Sequence, residues 1–244
     1  MIELLIPPIL LSFVLLLIHS YYGLQIIKRN IIFTDLAIGQ MAALGVAISL
    51  YLFGGKYLYP VSLLFAVFTA LLIAYINHKE KSLQEAFIGL IYALGISGVF
   101  IVMSKSPHGL EELNNLLAYD ILFTSYGDIL KVSILYLFIG LVLYFFVRKI
   151  EGFLKDVLFF TTFAITLTSS VKLAGVLVVF SILIAPSLIA LKLFNKNHIL
   201  YATAVGSLLI LISIILSYNF DLPTGYTIVF INTLSALATI LFKK

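Results

Sequence analysis

Long apolar runs, each close to the length of a membrane crossing, alternate along this chain with short polar junctions. A helix crosses a bilayer with ~20 mostly apolar residues at ~1.5 Å rise each. Nine runs reach or approach that length: 4–26, 33–53, 57–77, 85–104, 129–148, 154–171, 173–193, 199–218 and 223–242. Only Val171-Lys172 parts the sixth from the seventh, so the count stands at eight or nine, the smaller number being one span plus a re-entrant piece. No alternating ten-residue pattern of a membrane barrel occurs, and lipid offers no partner to an open strand edge, so the runs predict helices. The expected fold is all-α, a polytopic transmembrane bundle in which residues 1–244 form a single membrane domain.

Composition excludes the soluble alternative. Hydrophobic residues are 62% of the 244 positions and charged residues 11%, with a mean hydropathy of +1.17. A soluble domain carries roughly a quarter charged residues, enough to cover its surface. The net charge of +4 does not point to nucleic acid, because the basic residues sit in short junctions between apolar runs. Lys28, Arg29, Lys79, Lys81, Arg148, Lys149, Lys155, Lys192, Lys196, Lys243 and Lys244 collect on one side of a nine-span layout, eleven of the fifteen basic residues. The positive-inside rule then predicts an external N-terminus and a cytoplasmic C-terminus; eight spans weaken the bias. Cysteine is absent, which excludes disulfides and thiolate metal sites. The first run follows Met1-Ile2-Glu3 without a basic region or a small-residue cleavage site, and it reads as a retained span.

Ionisable residues inside apolar runs are costly and therefore informative. Asp35 shares a helical stripe with Gly39, Ala43 and Ala47, each four residues on, a spacing that marks close packing against a neighbouring helix. Two readings stay open: a carboxylate facing an ion path within the bundle, or Thr34 or Asp35 capping the helix start. Gln40, about a turn and a half deeper, either lines a path or bonds a neighbouring helix. His19 reads as a packing residue. In the longer junction 104–128, Pro107, Leu110, Leu113, Leu116 and Leu117 predict a short amphipathic helix at the interface. His108, Glu111 and Glu112 there suit a divalent ion by donor type, although such carboxylates also suit any solvated helix face. Pro186 removes a backbone donor and predicts a kink or break. No G-x-x-x-x-G-K-[ST] loop, H-E-x-x-H or G-x-S-x-G is present, so the sequence shows no ATP-binding loop or hydrolytic site of its own.

Several segments carry a resemblance. GLQIIKRNIIFTDLAIGQMAALGVA (23–47), EAFIGLIYALGISGVFIVMSKSPHGLEELNNLLAYDIL (85–122), KLAGVLVVFSILIAPSLIA (172–190) and DLPTGYTIV (221–229) resemble, in order, the metal-type (zinc, manganese, iron) ABC permease family. That resemblance implies a homodimeric pore in the cell membrane, docked on two cytoplasmic ATP-binding subunits and fed by an external metal-binding protein. The transported divalent metal is then cargo, and the chain binds no cofactor and is not itself the ATPase. Family members carry Asp-x-x-x-His in the second span; Gln40 matches the histidine, while Asp35 lies one place before the aspartate position, occupied by Leu36. Asp35 and Gln40 are the metal-path residues the resemblance implies. Five residues apart on a helix lie about 140° apart, against about 40° for four, so the two do not hold one ion together. The family's coupling segment falls at 148–156 (RKIEGFLKD), shorter here, giving Arg148, Lys149, Glu151, Lys155 and Asp156 as ATPase-docking residues, with 77–85 (NHKEKSLQE) as helper. The rival class is a secondary carrier or channel working without ATP.

Overall fold

The computed structural model describes residues 2–106, 109, 111, 121–147 and 149–242. Among them are nine helices long and apolar enough to cross a membrane. They are α1 (Ile2–Arg29), α2 (Thr34–Phe53), α3 (Leu58–Lys79), α4 (Gln84–Met103), α5 (Tyr126–Phe146), α6 (Gly152–Ala174), α7 (Val176–Leu193), α8 (His198–Phe220) and α9 (Thr224–Phe242). Short 3₁₀ turns at Lys81–Leu83 and Ile121–Phe123 precede α4 and α5. The interfacial helix expected within 104–128 falls largely outside the described residues, as do His108 and Glu112.

The open question of eight or nine spans resolves at Gly175. Helix α6 runs through Val171 and Lys172 to Ala174, and the break falls on Gly175 at φ 81°, ψ 157°. A residue with a Cβ is strained at that φ, whereas glycine is not. The parts on either side, 23 and 18 residues long, are each long enough to cross.

Two compact units form. One contains Met1–Ile32, Tyr119–Tyr136 and Leu173–Lys244, the other Phe33–Ala118 and Leu137–Lys172. In the first unit, α7 packs against α1, α8 and α9, and α8 touches both α1 and α9. In its core, Ile189 packs between the small residues Ala185 and Ala236. Pro186 does not end α7; the helix continues to Leu193. Its ring fits a notch at Gly206 of α8, where an added Cβ would lie 3.0 Å from Pro186 Cγ.

In the second unit, α2 packs against α3 and α4. Glycines set both contacts. A Cβ on Gly45 would lie 2.8 Å from Ser62 Cα and 2.8 Å from Val61 O, so α2 and α3 meet backbone to backbone. A Cβ on Gly95 of α4 would lie 2.8 Å from Gln40 Cβ and 2.9 Å from Gln40 C. Helix α6 runs antiparallel to α3. Near its end, the Lys172 ammonium lies 5.5 Å from the Tyr59 ring at the start of α3. Near its start, Phe153 and Asp156 meet His78 and Asn77 at the end of α3.

Candidate functional site

The apolar stripe that singles out Asp35 is buried as a whole. Asp35 is 2% exposed, Ala43 8% and Ala47 0%, and Gly39 is buried with them. The small residues let a neighbour come close, and the carboxylate is withdrawn from solvent and lipid alike. Phe33 is the N-cap and makes no side-chain capping bond, which puts Thr34 and Asp35 inside the first turn, where a carboxylate can still serve the helix start. Backbone N–H groups of Asp35 and Leu36 face the Asp35 carboxylate, as at other helix starts where a negative charge is favoured. Its Oδ1 nevertheless has no hydrogen-bond partner among the described residues. A buried oxygen without a donor is costly.

Gln40 sits elsewhere on the same unbroken helix. Its Cβ and backbone lie against Gly95 of α4, and the residue is half-buried. The helix geometry keeps it apart from Asp35, as the five-residue spacing predicts. Among the described residues, no group of three His, Cys, Asp or Glu side chains is arranged to hold a metal ion. His19 is a packing residue: fully buried, its Nδ1–H donates to Leu15 O at 2.8 Å, and its ring lies edge-on to Tyr136 at 6.4 Å.

The two segments expected to meet the ATPase are brought together. Asn77 Nδ2 donates to Asp156 Oδ2 at 2.6 Å, and the His78 and Phe153 rings lie 5.4 Å apart. The segments 77–85 and 149–156, far apart in sequence, thus form one surface at a single end of α3 and α6. Lys149 and Glu151 are exposed there, Lys155 and Asp156 half-buried; Arg148 lies outside the described residues. Lys79, Glu80, Lys81 and Leu83 are exposed beside them, whereas Gln84 is buried. Asp35 belongs to the same end. With Gly45 opposite Ser62, the antiparallel register puts Asp35 opposite about residue 72 of α3. That is about five residues, or ~8 Å along the axis, from Asn77.

One polar feature escaped the charge-based reading. Helix α6 carries Thr162, Thr166, Thr168, Ser169 and Ser170, all buried. Thr162 Oγ1 donates to Leu158 O at 2.7 Å, Thr166 Oγ1 to Thr162 O at 2.9 Å and Ser170 Oγ to Thr166 O at 2.7 Å. Each of these hydroxyls donates back along its own helix, as Ser and Thr commonly do inside spanning helices. The signal in the sequence is the density of hydroxyls in TTFAITLTSS, which hydropathy averages hide.

A family model described as "ABC 3 transport family" matches residues 1–243. The "Manganese transport system membrane protein MntC" of Listeria innocua is 28% identical, over 93% of this chain and 86% of its own length. The "High-affinity zinc uptake system membrane protein ZnuB" of Haemophilus influenzae is 24% identical over 94% of each. In fold, the chain is similar to a structure of PsaBC from Streptococcus pneumoniae in complex with Fab. The TM-score is 0.71 and the identity 17%, over 98% of this chain and 91% of that one.

Proposed function

The chain belongs to the ABC 3 transport family, and from that premise we propose that it is the membrane-spanning permease of an ATP-driven importer for a divalent metal: zinc, manganese or iron. The observation that carries this reading is the family match along the whole chain, in a sequence with no ATP-binding loop of its own. Relatives named for manganese and zinc transport support the cargo class. A separate ATP-binding subunit supplies the energy, an external metal-binding protein delivers the ion, and two copies of the permease form the pore. The N-terminus is external and the C-terminus cytoplasmic, which puts the joined ends of α3 and α6 on the side where nucleotide is available.

In this reading Asp35 is the ion-facing ligand. A carboxylate suits a borderline or hard divalent cation, and its unpartnered oxygen favours that role over a purely structural one. Gln40 lies on another flank of α2 and contributes separately along the path. Lys149, Glu151, Lys155 and Asp156, together with Arg148 and segment 77–85, meet the ATPase. ATP-driven movement at that surface reaches Asp35 through α3, to which α2 is fitted at Gly45.

The test is reconstitution of permease, ATPase and binding protein in liposomes, with uptake of each metal followed with and without ATP. Uptake is expected only with hydrolysable nucleotide, and Asp35→Asn is expected to cut it while the complex still assembles. Metal movement through the isolated permease, following an ion gradient without nucleotide, would establish the secondary-carrier reading instead.

A further inference from the structure

The seam between α1 and α8, within one compact unit, holds two hollows. The larger, of about 740 Å³, lies between Leu17, Tyr21, Leu24, Gln25 and Lys28 on α1 and Asn197–Thr203 on α8. The smaller, of about 160 Å³, lies further along the same pair of helices, between Ile9–Leu16 and Ser207–Leu211. Between them the helices touch, with Thr203 Oγ1 3.2 Å from Ser20 Oγ and Leu16 against Gly206.

The two ends of this seam differ in chemistry. The smaller hollow is apolar, walled by Leu10, Phe13 and Leu211, all exposed. The larger has an apolar body, with Leu17 and Leu200 exposed, and at the Lys28 end a polar lip of Gln25, Lys28, Asn197 and His198. Lys28 is exposed and has no ion-pair partner among the described residues. Lys192 and Lys196, also exposed, flank the turn that leads into α8. No carboxylate lines the hollow, and neither Asp nor Glu occurs between Leu4 and Thr34 or between Val157 and Phe220. The Asn197 side chain makes no capping bond, so the first N–H groups of α8 have no side-chain acceptor there.

A basic lip above an apolar furrow matches the two halves of one kind of molecule. From Phe13 to Lys28 is fifteen residues of helix, ~22 Å, comparable with an extended acyl chain. Basic recesses between spanning helices hold anionic lipid headgroups. We propose that the α1–α8 seam is a binding site for an anionic diacyl phospholipid. Its phosphate sits at Lys28 beside the start of α8. Its acyl chains lie against Leu17, Tyr21, Leu24 and Leu200, one reaching past the Ser20–Thr203 contact to the smaller hollow.

The full-length permease in neutral detergent, titrated with phosphatidylglycerol and with phosphatidylcholine of the same chains, tests this by native mass spectrometry. The first bound phosphatidylglycerol is expected to bind more tightly than phosphatidylcholine. Lys28→Gln is expected to lower phosphatidylglycerol affinity about fivefold, the effect of one basic residue near an anionic headgroup, and to leave phosphatidylcholine unchanged. Leu200→Trp, which fills the furrow, is expected to weaken both lipids, while Lys131→Gln in α5 changes neither. Equal headgroup preference in Lys28→Gln and the parent overturns the proposal. So does displacement of the lipid by millimolar inorganic phosphate, which would make the lip a phosphate site without a chain furrow. Neither metal nor nucleotide enters the experiment, so its outcome is independent of the transport reading.

Discussion

Replacing Gly45 with alanine asks how closely α2 and α3 are fitted. The new methyl would lie 2.8 Å from Ser62 Cα, 2.8 Å from Val61 O and 3.1 Å from Ser62 N. All three are backbone atoms, so no rotamer change can make room. Comfortable carbon contacts begin near 3.5 Å, and the helices must part by about 0.7 Å or the backbone must bend. Overpacking of this kind costs about 1–3 kcal/mol, while Gly→Ala in a helix interior returns roughly 0.5–1 kcal/mol. The net expectation is a loss of about 1–2 kcal/mol, or a fall in Tm of roughly 2–8 °C for a chain of this size. Other glycines provide an internal scale. Gly95→Ala also meets backbone and belongs with Gly45→Ala, while Gly98→Ala meets only the Leu44 side chain at 3.0 Å and is expected to cost less. Gly89→Ala and Gly140→Ala meet nothing within 4 Å and are expected to raise Tm slightly. Thermal unfolding of the detergent-solubilised variants, followed by size-exclusion chromatography after heating, reads the order directly. If Gly45→Ala melts at or above Gly89→Ala, the backbone-to-backbone fit of α2 and α3 is wrong.

Further expectations concern the carboxylate and the docking surface. Asp35→Asn keeps the shape and removes a buried charge with an unpartnered oxygen, so Tm is expected to hold or rise while ATP-driven uptake falls; a lower Tm with normal uptake would assign Asp35 to helix structure alone. A double-mutant cycle on Asn77→Ala and Asp156→Ala is expected to give a coupling of about 1 kcal/mol in unfolding stability, below the roughly 1.5–3 kcal/mol of bonds to charged groups because the pair is half-exposed. Reversing Lys149 and Glu151 together is expected to lower co-purification of the ATPase without changing Tm, which a pull-down checks. Because the chain has no cysteine, a single Lys149→Cys variant can be probed in spheroplasts with a membrane-impermeant maleimide; labelling is expected only after permeabilisation, and labelling of intact cells would invert the topology.

Much of the fold is legible in the sequence because lipid leaves few choices for an apolar run. The second span, expected at 33–53, is observed at Thr34–Phe53, and the last, expected at 223–242, at Thr224–Phe242. The boundary between the sixth and seventh spans was harder. Lys172 is the only charge there and draws the boundary, yet backbone geometry puts the break on Gly175, a position hydropathy does not mark. For the site, the stripe Asp35–Gly39–Ala43–Ala47 already indicated an inward-facing carboxylate, since small residues at a four-residue spacing have a single physical use in a bundle. The Asn77–Asp156 bond was not legible. It joins positions 79 residues apart, and nothing local in either segment announces the other. The α1–α8 furrow was equally hidden, because a hollow depends on what neighbouring side chains fail to fill.

The glycine contacts around α2 also bear on how force travels. Side chains that interlock can slip by changing rotamer, but at Gly45 and Gly95 there is no side chain to yield. Helix α2 is therefore keyed to α3 on one flank and to α4 on another. A displacement of α3 is expected to carry α2, and Asp35 with it, rather than slide past it.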